Sequence, residues 1–415
     1  MPSNTLRNDS VLVCPVDGMN AEGTVPWACG RCGATLRPMP DLAAVSLHDT
    51  LGDRPHNIYR YRELLPVQGD LKIGLHTGWT PLVEAPRLAG ALGLERLYLK
   101  LDCYGWPSYS YKDRVVAMAL QRAVEDGIDA VACVSTGNVG NALAAYAAAA
   151  GLRAIVFYPT GLEPAKNVVS LVHGASVIEV DGTYDEVNAI CRRLSLDEGI
   201  AFVNLTLRPY YADGAKTVAY EIVEQLGWRQ PDHVIVPAAG AALLTRMAFG
   251  YEEMSALGMS AGDRTPRIHA AQAAGCAPIA RAFAEGSAVP AACVPDTLAK
   301  SLAIGNPADG ALALQVIRRS EGTAQAVSDE EIVAGIELLA ALEGVFTEPA
   351  GGAAVAAARR LAVTGEIARH HVVVIVVSGS GLKTQEVNYG VLDRITRIPA
   401  TYERVQEVIQ ESVLV

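Results

Sequence analysis

From residue 96 onward the chain alternates between two apolar patterns. Short continuous runs rich in β-branched residues fall at 96–102, 130–135, 153–158, 176–180, 201–204, 233–237, 267–272 and 371–377. Between them lie longer stretches with helical spacing, at 115–126, 139–150, 164–173, 184–196, 214–226, 242–254, 328–342 and 351–362. Runs without polar alternation mark strands buried on both faces. Their alternation with helices predicts two doubly wound α/β domains built on parallel sheets. Ser328-Asp329-Glu330-Glu331 has the form of a capping box opening its helix. Thr80-Pro81-Leu82 reads as a turn running into a short extended piece. The expected organisation is an arm over 1–50, a first α/β domain over 51–210, a second over 211–395 and a tail over 396–415.

In folds of this class ligands sit beyond the carboxyl ends of the strands, in loops that feed helix N-termini. Candidate chemistry is therefore sought in those loops. Lys112, in Ser110-Tyr111-Lys112-Asp113-Arg114, stands at the mouth of a predicted helix. Taken alone it is either a solvated lysine or an amine held neutral by the positive end of the helix dipole and able to attack an aldehyde. Ser135-Thr136-Gly137-Asn138-Val139-Gly140-Asn141 offers hydroxyls and free N–H groups to an anion, or plain helix capping. Ala239, Gly240, Ala241 and Ala242 open another helix after a strand, and Ser378-Gly379-Ser380-Gly381 follows the most apolar strand. A phosphate-binding G-x-x-x-x-G-K-[ST], an H-E-x-x-H and a dinucleotide G-x-G-x-x-G at a strand end are all missing.

Composition narrows the partners. Half of the 415 residues are hydrophobic, 19% are charged and the net charge is −11, which suits an ordered globular protein and disfavours nucleic acid or an anionic membrane surface. Residues 1–13 lack the apolar core of a signal peptide, and no apolar run has the length of a membrane span. The eight cysteines are scattered except for Cys14, Cys29 and Cys32, which argues for a reducing cytoplasm. Those three, with Asp17 where a second knuckle cysteine belongs, form either a Cys3Asp zinc ribbon or a degenerate, metal-free arm.

Taken together, Lys112, the Ser135–Asn138 loop and the terminal Ser378-Gly379-Ser380-Gly381-Leu382-Lys383 resemble the fold-type-II pyridoxal-phosphate enzymes, the tryptophan synthase β superfamily. Within it the resemblance is to the threonine synthases. It extends through Asn204 and Arg208-Pro209-Tyr210-Tyr211-Ala212-Asp213-Gly214-Ala215-Lys216-Thr217, then Ala299 to Pro307, then Glu343 to Gly352.

The resemblance implies pyridoxal 5′-phosphate as cofactor and Lys112 as the Schiff-base lysine. It implies that Asn138 bonds the cofactor's O3′, that Ser378 faces its pyridine nitrogen, and that Ala239, Gly240, Ala241 and Ala242 cup its phosphate. Ser135, Thr136 and Gly137 are implied to hold the substrate carboxylate on a mobile loop. Lys166, Arg208 and Asn204 are implied to bind the substrate's phosphate. The implied reaction turns O-phospho-L-homoserine and water into L-threonine and phosphate, in a homodimer. Departures at Gly137 to Gly140, Gly240 to Ala242 and Ser380 line the implied cleft. They keep open a related lyase acting by β-elimination or replacement on O-phosphoserine, serine or threonine, and, through the thinned phosphate loop, a non-catalytic paralogue.

Overall fold

The computed structural model describes residues 11–19, 27–47, 50–261 and 264–413. In the arm, β1 (Leu12–Val13) pairs antiparallel with β2 (Arg37–Pro38). β3 (Leu82–Glu84), α1 (Pro86–Leu92) and β4 (Arg96–Leu101) lead into α2 (Lys112–Glu125). Strands and helices then alternate: β5 (Ala130–Val134), α3 (Asn138–Ala150), β6 (Arg153–Pro159), α4 (Pro164–Val172), β7 (Ser176–Val180), α5 (Tyr184–Asp197) and β8 (Ala201–Phe202). Next come α6 (Arg208–Asp213), α7 (Lys216–Gln225), β9 (His233–Pro237), α8 (Ala242–Ala256) and β10 (Arg267–Ala273). The second half ends with α9 (Pro278–Ala284), α10 (Gly310–Arg319), β11 (Ala324–Val327), α11 (Asp329–Glu343), α12 (Pro349–Val363), β12 (Val372–Val377) and α13 (Tyr402–Val413).

Two parallel sheets carry these elements, as the apolar runs predict. The smaller has the order β7-β6-β5-β8, the larger β11-β10-β9-β12-β4-β3. Only β3 runs antiparallel, at an edge of the larger sheet. Helices cover both, and strands such as β12, with five of six residues buried, are apolar throughout because both faces are dry. β4 pairs with β12 from the far end of the chain, and β3 pairs with β4. The sheets therefore do not follow the expected division at residue 210.

The structure differs from the expected elements in three places. The predicted helix 214–226 is α7 alone, and a short helix, α6, precedes it where none was expected. At their junction Gly214 lies against α2, where a Cβ would sit 2.7 Å from the Arg114 carbonyl oxygen. α9, α10 and β11 occupy a region without a readable pattern, because β11 is Ala-Gln-Ala-Val and owes its place to pairing with β10. α2 begins at Lys112 itself, three residues before the apolar pattern does.

A buried ion network pins that helix start. Arg114 bonds Asp102 at 2.8 Å and also meets Glu221, while Lys100 bonds Glu221 at 2.7 Å, all essentially without solvent contact. Thr80 Oγ1 donates to Asp102 Oδ1 at 2.6 Å. The two cations hold the Glu221 carboxyl at about 2 against the upward push of burial. Removing one member of such a network leaves an unpaired buried charge and costs about 3–5 kcal/mol. The network therefore fixes Lys112 on a rigid base.

Candidate active site

Lys112 opens into a cavity of about 110 Å3 between the two sheets. Its walls are the loops after β5, β8, β9 and β12, at the carboxyl ends of strands from both sheets. Most of the expected residues meet there: Ser135, Thr136 and Asn138 from the first loop, Asn204 and Arg208 from the second, Ala239 to Ala242 from the third, and Ser378 from the last.

The half-buried Lys112 amine donates to the Tyr111 hydroxyl and lies 4.3 Å from the Tyr111 ring centre and 5.9 Å from that of Tyr211. Burial pushes both phenols well up, so both stay neutral. The Tyr111 N–H donates to the Ser378 carbonyl at 2.9 Å, which ties the lysine loop to the end of β12.

The first loop is held from within. Ser135 Oγ accepts the N–H groups of Gly137 at 2.9 Å and Gly140 at 3.0 Å. Gly137 has φ +118° and rests on the stem of Lys166: a Cβ there would lie 2.0 Å from Lys166 Cδ. Lys166 itself is fully buried and pairs with Glu163 at 3.0 Å. It stays beneath the loop and is not among the cavity-lining residues, contrary to its expected place beside a substrate phosphate. The reason is local: Glu163, the N-cap residue of α4, and Lys166 in its first turn stand at i,i+3 spacing, and both turn inward.

Asn138 Nδ2 donates to both oxygens of Glu348, at 3.1 and 2.9 Å, and its Oδ1 is buried without a partner. Asn204 spends its amide on the Val134 backbone, accepting at 3.2 Å and donating at 2.8 Å, so it extends the small sheet while facing the cavity. Arg208 is oriented from two sides: Nη2 donates to Asp309 Oδ2 at 3.0 Å and Nε to Thr35 Oγ1 at 2.7 Å. Ala241 takes the left-handed conformation at φ +67°, and α8 starts after it with no side-chain cap. Its first N–H groups therefore face the cavity as free donors, the arrangement that binds phosphate.

Sequence reasoning assigned no role to Tyr111, Tyr211, Glu348, Asp309, Thr35 or Trp27, all of which build or brace this site. Tyr111, Tyr211 and Glu348 stand inside the motifs that carried the resemblance, which was the available signal. Thr35 and Trp27 come from the arm and gave none.

In the arm, the sulfurs of Cys14, Cys29 and Cys32 lie within 4.8 Å of one another. The N–H groups of Cys32 and Arg31 draw the Cys29 thiol down to about 7, while burial pushes Cys14 up to about 12. Asp17 pairs instead with Arg31 at 2.9 Å and stands outside the thiol cluster.

The family model described as pyridoxal-phosphate dependent enzyme matches residues 73–379. The threonine synthase of Methanosarcina acetivorans is 35% identical over 388 residues, covering 93% of this chain and 95% of that protein. The threonine synthase of a Synechocystis species is 40% identical over 329 residues, covering 79% and 82%. The chain belongs to the threonine synthase family of pyridoxal-phosphate-dependent enzymes. Among solved structures, maize serine racemase shares the fold, with TM-score 0.64 at 21% identity over 76% of this chain and 92% of that one.

The residues fit the family's cofactor. A primary amine, a buried unpartnered amide oxygen on Asn138 and the uncapped start of α8 all border one cavity. Those are places for an aldehyde, a polar ring substituent and a phosphate. No helix among the described residues is long and apolar enough to cross a membrane.

Proposed function

We propose that this chain converts O-phospho-L-homoserine and water into L-threonine and inorganic phosphate. The observation that carries the reading is Arg208, a cation held rigid by Asp309 and Thr35 on the wall of the cavity that contains Lys112. A doubly charged leaving group in a closed cleft needs such a fixed partner.

Pyridoxal phosphate, when bound, serves as an electron sink for charge developing on the substrate carbons. The protein's own groups do the rest. Ala239, Gly240, Ala241 and Ala242 hold the cofactor phosphate with the free N–H groups of α8. Asn138 and Ser378 fix its ring, and Lys112 holds its aldehyde carbon. With the cofactor in place, the Lys112 amine would take the substrate's Cα proton and move protons at neighbouring atoms. Ser135, Thr136 and Gly137 bind the carboxylate, and Arg208 with Asn204 binds the phosphate. Lys166 supports the carboxylate loop from below. Water adds at Cβ after phosphate leaves Cγ.

Three further points belong to the same reading. The arm thiols of Cys14, Cys29 and Cys32 form a zinc site. The working unit is a homodimer, carried over from the family resemblance, and the compartment is the cytoplasm, from the scattered cysteines.

The test is a turnover assay with purified holoenzyme. Threonine and phosphate should appear in equal amounts, and Lys112→Ala should abolish both. Phosphate released with a 2-oxo acid in place of threonine would overturn the assignment, as would no turnover at saturating substrate.

A further inference from the structure

Among the described arm residues, Trp27 alone lines the catalytic cavity. It is 3% exposed, and its Nε1–H is buried with no acceptor among the described residues. An indole N–H can only donate, and buried donors are nearly always paired. A donor left open on a ligand cavity therefore marks the position of an acceptor that the ligand brings.

The surroundings say which part of the ligand. Trp27 and Thr35 belong to one hairpin: the Trp27 carbonyl accepts the Leu36 N–H at 3.1 Å, and Ala28 bridges to Thr35. Thr35 is the residue that orients Arg208. The hairpin is clasped to the body by Arg37, which pairs with Glu253 and lies 4.0 Å over the Phe249 ring. The same short segment thus delivers an unsatisfied donor to the cavity and steers its anchored cation. Oxygens of a phosphate dianion only accept, which matches both groups.

We propose that Trp27 is a substrate-binding residue whose indole N–H donates to an oxygen of the substrate's phosphate beside Arg208. This rests on the reaction assigned above. It makes the arm part of the active-site wall and a determinant of which leaving group the cavity accepts.

The experiment uses the full-length holoenzyme and the variant Trp27→Phe, which keeps the ring and removes the N–H. KM for O-phosphohomoserine and the inhibition constant of inorganic phosphate should both rise about tenfold, as for loss of a hydrogen bond to a charged group. The turnover number should change less than about threefold, and cofactor absorption and melting temperature should hold. A role in packing alone would lower the melting temperature and leave both binding constants in place. Unchanged constants overturn the proposal.

A wild-type measurement covers the case in which Trp27→Phe does not fold. With 15N-labelled indoles, one of the four tryptophan N–H signals should move downfield as inorganic phosphate is added. No movement of any of them overturns the proposal. This readout needs no turnover, so failure of the assigned reaction and failure of the Trp27 contact are told apart.

Discussion

Asn138 and Glu348 meet across the cleft, with the Asn138 Nδ2 shared between the two carboxylate oxygens. A carboxylate only accepts, so the contact fixes the amide's orientation and leaves Oδ1 as the atom that has no partner. Glu348 is the N-cap residue of α12, and Gly379 packs so tightly on its carboxylate that a Cβ there would lie 2.4 Å from Oε1. The pair therefore braces the cofactor wall from both domains. Asn138→Ala is expected to lose about 1–3 kcal/mol of stability and to weaken cofactor binding. Glu348→Gln keeps an acceptor for Nδ2 and should lose less on both counts. Thermal melts and cofactor titration followed by absorbance check this, and a reversed order of the two variants would refute it.

Arg208 uses two nitrogens of its guanidinium on different partners, Nε toward Thr35 and Nη2 toward Asp309. A lysine cannot reproduce that fork. Arg208→Lys should raise KM for the phosphorylated substrate by roughly tenfold or more, with a smaller effect on the turnover number. Steady-state kinetics decide, and an unchanged KM would remove Arg208 from phosphate binding.

Gly137 is required by both backbone and space, since φ is +118° and Lys166 fills the Cβ position. Gly137→Ala should displace the carboxylate loop, cost about 1–3 kcal/mol and raise KM. A variant with wild-type melting temperature and KM would show that the loop relaxes freely.

Three histidines form a chain at the opposite ends of the strands from the cavity. His233 Nδ1 lies 2.9 Å from His269 Nε2, and His233 Nε2 lies 2.9 Å from His371 Nδ1. Burial, then neighbouring positive charge, pulls His233 down to about 4 and His269 to about 3. Between those values and the ordinary 6.5, the unfolded chain binds more protons than the folded one, so stability rises with pH and is lost as pH falls through that window. Asp113, pushed up to about 7 by burial, works in the opposite sense, because its folded form keeps a proton that the unfolded form releases. The two are separated by difference. Melting temperatures of the wild type should fall more steeply from pH 6.5 to about 4 than those of His233→Gln, and parallel curves would refute the assignment.

The arm thiols give a compositional prediction. Purified protein should carry about one zinc ion per chain, a stoichiometry that three clustered sulfurs support. Cys29→Ser should lose it and weaken substrate binding through the displaced Trp27 and Thr35. Elemental analysis alongside KM checks both. Metal-free wild-type protein would leave the cluster a hydrogen-bonded set of thiols, with Cys14 and Cys32 sulfurs 3.5 Å apart.

Much was legible along the chain for a physical reason. Strands buried on both faces must be apolar at every position, so runs such as 371–377 announce themselves. Their loops then locate Lys112, the Ser135–Asn138 turn and Ser378 without further information. Signals that depend on a neighbour were weaker. β11 has no β-branched run and is a strand only through β10, and the break between α6 and α7 follows from the closeness of α2 to Gly214.

What the sequence determined by itself was the α/β architecture and the loops that meet at the cavity, that of Lys112 among them, because each is encoded in local periodicity or a short motif. Direction and partnership were decided only in three dimensions. Lys166 is a residue the resemblance implies for phosphate binding, yet its helix turns it toward Glu163 and under Gly137. Asn138 and Glu348, 210 residues apart, complete one wall. Thr35 reaches across 173 residues to Arg208, which brings Trp27 with it to the cavity. Such contacts link segments that carry no shared pattern, and only the packing of the two sheets brings them within reach.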